Sequence, residues 1–143
     1  MSIFEPASPR AISRMLSILR IVSGLIFITA GTMKLFGFPK MTAPNPMPPL
    51  VAFSQIWFGG VLEVFGGAAF TLGLLTRPVS FILAGEMAVA YFQFHYPNSF
   101  FPTVNMGIPA VLYCFIFLYF VVSGAGEWSV DEMISRSKRG NAR

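Results

Sequence analysis

The stretch MLSILRIVSGLIFITAGTMKL, residues 15–35, decides the fold. Arg20 and Lys34 are its only charged residues. Its length is close to the roughly 20 residues that a helix needs to cross a bilayer. Ser8 and Pro9 stand just before it as an N-cap and a first helical position. Working outward, three more apolar runs of span length follow at residues 51–76, 78–96 and 107–123. Pro78 removes a backbone donor and disfavours helix at Arg77, so a break is expected between the second and third runs. Pro109 falls in the first turn of the fourth, where a proline is tolerated. The reading is an all-α membrane protein, an up-down bundle of four transmembrane helices forming one domain over residues 1–143.

Composition agrees. Of 143 residues, 55% are hydrophobic and 11% charged, against about 25% charged in an ordinary soluble domain. The net charge of +4 does not imply nucleic acid, because the basic residues cluster at the ends of apolar runs rather than along a groove. Cys114 and His95 are each the only residue of their type. A dithiol pair, a thiolate metal cluster and a bis-histidine haem within one chain are therefore excluded. Cys114 is expected to be a small packing residue. Met41 and Met47 lie among prolines and make a weak case for copper. No catalytic residue and no metal site is assigned. The N-terminal run is too long for a signal-peptide core and has no A-x-A site after it.

Between the first two runs lies PNPMPPL, which cannot be regular helix. After the fourth comes the tail 124–143, in which Ser129 and Glu132 have capping-box spacing and start a short amphipathic helix. Val130, Met133 and Ile134 are expected on the membrane surface, Trp128 at headgroup level, and the basic end against anionic lipid. One side of the membrane receives Arg10, Arg14, Arg20, Arg77, Arg136, Lys138, Arg139 and Arg143; the other receives Lys34 and Lys40. The basic side is the cytoplasm, so both termini are expected there, in a bacterial inner membrane.

A charge at mid-bilayer costs on the order of 3 kcal/mol, so each one inside a span needs a partner or a task. At about 1.5 Å rise per residue, Arg20 stands roughly 8 Å and Glu86 roughly 12 Å from the cytoplasmic ends of their spans. On the same scale Glu63 stands at roughly 20 Å and Lys34 at roughly 28 Å. Two pairings are expected, Arg20 with Glu86 and Lys34 with Glu63. Arg20, Gly24, Phe27, Gly31 and Lys34 share a helix face. Gly59, Gly60, Gly66 and Gly67 form a small-residue stripe around Glu63 that admits a neighbouring helix. Glu86, Ala90 and Gln93 share a third face. His95 belongs to the outer rim with Asn105. Most phenylalanines are expected to face lipid. The polar residues serve either as structural ion pairs or as a pocket for a substrate, a proton or a quinone headgroup.

These motifs resemble the DoxX family over about residues 15–134. The first span reads R-x3-G-x6-G-x2-K, from Arg20 to Lys34. The second reads G-G-x2-E-x2-G-G and then GLLTRP, from Gly59 to Pro78. An alanine-rich stretch ends in His95. Then come N-x-G-x5-Y, from Asn105 to Tyr113, and G-x-G-x-W-S-x-D, from Gly124 to Asp131. Where relatives often carry Glu after the glycine of the fourth-span motif, this chain has Ile108 and then Pro109. The resemblance implies a small four-helix protein of the bacterial inner membrane. It also implies an accessory or anchoring subunit of a membrane redox assembly, with quinone as the cofactor in reach. The bilayer, subunits of that assembly and further copies of the chain are the expected partners. The alternative is a small proton or solute carrier built on the pocket around Glu63; an autonomous enzyme is the weakest reading.

Overall fold

The structure is a computed structural model that describes residues 7–40 and 50–141. Met41, Met47 and most of the PNPMPPL stretch lie outside the described residues. Among the described residues there are five helices and no strand. α1 runs over Pro9–Phe36 and α2 over Gln55–Leu72. α3 covers Thr76–Ala90, α4 Ile108–Ser123 and α5 Val130–Asn141. By length and composition α1 and α2 can cross a membrane, and α4 is a shorter apolar helix.

Local chemistry sets most of the ends. Ser8 Oγ accepts the Ala11 N–H at 3.2 Å, Pro9 opens the first turn, and Gly37 closes α1 at φ 65°. The helix therefore starts before residue 15. At 28 residues it is about 42 Å long. Ser54 caps α2 through the Trp57 N–H at 3.2 Å, four residues later than expected. Within α2 the backbone widens to a π-turn over Leu62–Gly66, which carries Glu63. A second π-turn, Tyr91–His95, extends α3 before a 3-10 turn over Tyr96–Asn98.

The break between α2 and α3 is not made by Pro78. Gly73 stops α2 in the left-handed region at φ 69°, where its N–H reaches Phe70 O and the Leu74 N–H reaches Ala69 O. That pairing is the Schellman arrangement, and it favours glycine. Leu75 is also left-handed, at φ 48°. Arg77 and Pro78 lie inside the first turn of α3, where the missing N–H of proline would have had no helical partner. The cap of α3 comes from far along the chain: Asp131 takes the N–H groups of Leu75 and Thr76, each at 2.8 Å.

The glycines of α2 do not form a single stripe. Gly60 lies against Leu35 and Gly67 against Ile28, both on α1. Gly59 lies beside the Glu86 carboxylate and Gly66 against Leu83, both on α3. Spaced seven residues apart, each pair serves one neighbour, and a Cβ at Gly60, Gly66 or Gly67 would come within 3 Å of a side chain. The core sits where α1–α4 meet. Phe27, Phe70, Phe117 and Phe120 are buried there, with edge-on ring contacts at 4.9–5.0 Å. These four phenylalanines face the interior, while the other eleven described phenylalanines are exposed, as the expectation that most face outward requires. Outward faces such as Leu25, Ile26, Phe81, Ile82, Phe115 and Val122 remain exposed and apolar.

Candidate functional site

Two groups of charged residues lie inside the bundle, at different levels along α1. The first centres on Arg20, whose side chain is fully buried. Nε donates to Ala125 O at 2.9 Å, Nη1 to Phe70 O at 2.8 Å and also to Thr71 O, and Nη2 to Trp128 O. Phe70 and Thr71 lie in the last turn of α2, at the negative end of the helix dipole. The guanidinium adds to the Gly73 N–H at Phe70 O, gives Thr71 O a donor and ties down the segment after α4. Ser17 Oγ accepts the Trp128 N–H at 3.1 Å. Gly126, at φ 80°, passes so close to α1 that a Cβ would meet Ser17 Oγ at 2.4 Å. The pairing of Arg20 with Glu86 is thereby corrected.

The level of Glu86 explains the correction. From the observed ends, Glu63 is nine residues before Leu72 and Glu86 ten residues after Thr76. Both therefore stand roughly 14–15 Å from the turn. Glu86 belongs to the second group, with Lys34 and Glu63. Lys34 Nζ donates to Glu63 Oε1 at 2.6 Å, with the Glu63 side chain 3% and the Lys34 side chain 28% exposed. Gly31 brings α1 against the Glu63 turn: a Cβ there would meet Glu63 Cβ and Val64 N at 2.8 Å. Glu86 lies within Coulombic reach of both Glu63 and Lys34. Its two carboxylate oxygens, and Oε2 of Glu63, are buried with no hydrogen-bond partner among the described residues. Toward the same end, Gln55 Nε2 donates to Gln93 Oε1. The arrangement is two carboxylates facing one ammonium, with three free acceptor atoms.

His95 and Asn105 meet at the rim. His95 Nδ1 lies 3.0 Å from Asn105 O, Asn105 Nδ2 donates to Ser99 O at 2.7 Å, and Asn105 Oδ1 accepts the Gly107 N–H at 2.7 Å. These bonds shape the loop before α4. Cys114 is half-buried against the core and borders an apolar cavity of about 380 Å³ with Met87, Tyr91, Tyr96 and Phe115. Ile108 starts α4 on an exposed position.

Sequence reasoning missed the grip of the tail on the bundle. Asp131 caps α3, and Ser129 Oγ accepts the Glu132 N–H at 3.2 Å, which is one arm of the capping box. The other arm is not made, because the Glu132 carboxylate takes Arg136 at 2.8 Å. Arg136 holds Glu132 below the usual carboxylate range, and Arg14, at 2.8 Å, does the same for Glu127. The signal was present in G-x-G-x-W-S-x-D, whose glycine, tryptophan, serine and aspartate all make these contacts.

The fold and site define a class: a small all-helical protein with an apolar exterior and ionisable groups held between its helices. The DoxX family profile matches residues 15–96, and the chain belongs to the DoxX family. It is 45% identical over 120 residues to an uncharacterized protein of Haemophilus influenzae, covering 81% of this chain and 87% of that one. It is 31% identical over 126 residues to the inner membrane protein YqjF of Escherichia coli, covering 82% and 89%. No solved structure matches. Family membership and the apolar exterior together support a membrane protein.

Proposed function

We propose that the chain is an accessory or anchoring subunit of a quinone-linked redox assembly in the bacterial inner membrane, and that Lys34, Glu63 and Glu86 form its proton-exchanging site. The observation that carries this reading is the pair of buried, unpartnered oxygens on Glu86 beside the Lys34–Glu63 bond. A carboxyl group without a hydrogen-bond partner among the described residues is a poor structural element, whereas reduction of a quinone by two electrons from a dehydrogenase consumes two protons that need a donor. The apolar cavity between α3 and α4 suits a hydrocarbon chain such as a quinone tail. Its lining offers little to a headgroup.

The reading takes the chain as one domain crossing the membrane four times, with α3 lengthened by its π- and 3-10 turns. The printed name of the Escherichia coli relative supports the inner membrane. The eight-to-two split of basic residues supports cytoplasmic termini. Alkaline phosphatase fused after Pro46 should then be active and after Arg143 inactive; the reverse pattern overturns the orientation. Function is tested by purification in mild detergent, followed by identification of bound quinone and co-purifying proteins. A dehydrogenase that co-purifies with the native chain, and loses quinone-linked activity with E63Q, supports the proposal. A chain that carries neither quinone nor any redox partner overturns it.

A second reading, a small proton or solute carrier, is favoured by the partial exposure of Lys34, which opens the site toward one end of the bundle. It predicts proton flux across liposomes containing the chain alone, abolished by E63Q.

A further inference from the structure

A second site lies at the other end of the bundle, between the start of α1, the end of α4 and α5. A cavity of about 840 Å³ opens there, with both signs of charge in its wall: Arg77 and Arg136, and Glu127, Asp131 and Glu132. Most of this charge is already engaged. Arg14 holds Glu127, Arg136 and Arg139 hold Glu132, and Asp131 caps α3. Arg77 takes part in none of these bonds. Its guanidinium lies near Gly124 on the cavity wall, and its side chain is exposed.

The cavity does not end in water on every side. Ile12, Leu16 and Tyr119 also border a separate apolar groove of about 390 Å³, which runs along α1 past Ala11, Met15 and Leu19. A polar chamber with mixed charge therefore adjoins a hydrocarbon-lined groove across shared wall residues. That is the shape of an amphiphile with a charged head and a long chain.

We propose that this composite cavity binds one phospholipid with a zwitterionic amine headgroup. Its phosphate sits on Arg77, its ammonium lies toward the carboxylates of Glu127 and Glu132, and an acyl chain lies in the groove of Ile12, Met15, Leu16 and Leu19. Charge complementarity selects this occupant. Arg77 takes the phosphate, and the ion pairs of Glu127 and Glu132 use only Oε1, so a head with an ammonium also supplies a donor for their Oε2 atoms, which a purely anionic head does not. The bound lipid would rest against the segment that Arg20 and Asp131 hold, and so pin α5 to the bundle from outside.

The test uses the full chain purified in mild detergent and incubated with defined lipids, with retained lipid counted by native mass spectrometry. Phosphatidylethanolamine should be retained at about one molecule per chain. R77Q should weaken retention about tenfold, the loss expected from one charge-assisted hydrogen bond. A11F, which fills the groove on an exposed helix position, should also displace the lipid while leaving the melting temperature of the lipid-free chain unchanged. Glycerophosphoethanolamine, the head without chains, should not compete at equal concentration. Equal retention of phosphatidylglycerol and phosphatidylethanolamine overturns the headgroup assignment. Retention unaffected by both R77Q and A11F overturns the site.

Discussion

Arg20 and Glu86 are both ionisable residues turned toward the interior of the same bundle, yet they live under opposite conditions. Every nitrogen of Arg20 donates to a backbone carbonyl, whereas both oxygens of Glu86 are without a hydrogen-bond partner among the described residues. A buried charge is tolerated when its hydrogen-bonding capacity is spent, and is costly when it is not. Arg20 spends its capacity on the end of α2 and on the segment before α5, so its charge became part of the architecture. Glu86 stands beside an ion pair that is complete without it. The comparison separates two kinds of buried ionisable group in one small chain: one that the fold needs, and one that the fold merely carries.

The largest effect should come from breaking the first kind. R20M removes the donors to Thr71 O, Ala125 O and Trp128 O, while Phe70 O keeps the Gly73 N–H, and it loosens the tail segment from α2. The expected loss is roughly 3–5 kcal/mol, read as a large fall in melting temperature in detergent. A change within about 0.5 kcal/mol would mean that the Arg20 contacts do not hold the bundle together.

The Lys34–Glu63 bond comes next. It is partly exposed on the lysine side, so solvent can repay part of its loss. Either E63Q or K34M alone should cost about 2–3 kcal/mol. The two together should cost less than the sum of the singles, with a coupling energy of about 1–2 kcal/mol. Strictly additive costs would show that the 2.6 Å contact carries no energetic pairing, and the cluster would then lose its anchor.

What the sequence could disclose follows the range of the forces involved. Ser8 and Pro9, Ser129, and the shared face from Arg20 to Lys34 rest on neighbours one to four residues apart and on the fixed rise of a helix. They were legible for that reason. The Lys34–Glu63 pair was legible from depth together with helical phase, which puts Lys34 on the Arg20 face and Glu63 among the glycines of the second span. The partner of Glu86 was not, because its level depends on where the turn falls. Placing the break at Pro78 instead of Gly73 shifts one helix end by four residues and the other start by two, enough to misjudge the level of Glu63 by roughly 6 Å. Asp131 capping α3 is a contact across 55 residues, beyond any local pattern. The phenylalanine core was hidden for a different reason. In a chain whose outside is as apolar as its inside, hydrophobic periodicity no longer distinguishes Phe70 or Phe117 from Phe81 or Phe115.

Intermediate effects test the division of the α2 glycines. G67L would drive a side chain into Ile28 of α1, and G66L would drive one into Leu83 of α3. Overpacking of this kind costs about 1–3 kcal/mol. G67L should also weaken the Lys34–Glu63 coupling, because it opens the α1–α2 seam on which that bond depends. G66L should spare the coupling, because it opens the other seam. Equal effects of the two on the coupling would mean that both doublets serve one interface after all.

The smallest effect on stability should come from Glu86, and it bears most directly on the comparison. E86Q keeps the shape of the side chain and removes the chance of a buried negative charge. Because the carboxylate oxygens make no hydrogen bond among the described residues, no described partner is orphaned, and the variant should match the native chain or exceed it by up to about 1 kcal/mol. R20M is expected to do the opposite, so the two substitutions form a contrast within one melting experiment. Stability alone would leave Glu86 an idle residue, so the second measurement is decisive. Quinone-linked activity of the co-purified assembly should fall at least tenfold with E86Q while the melting temperature holds. A destabilisation of more than about 2 kcal/mol would reveal a structural partner for Glu86 and erase the contrast with Arg20. Full activity with full stability would strip the cluster of its proton-exchanging role and leave the Lys34–Glu63 bond as a fastening between α1 and α2.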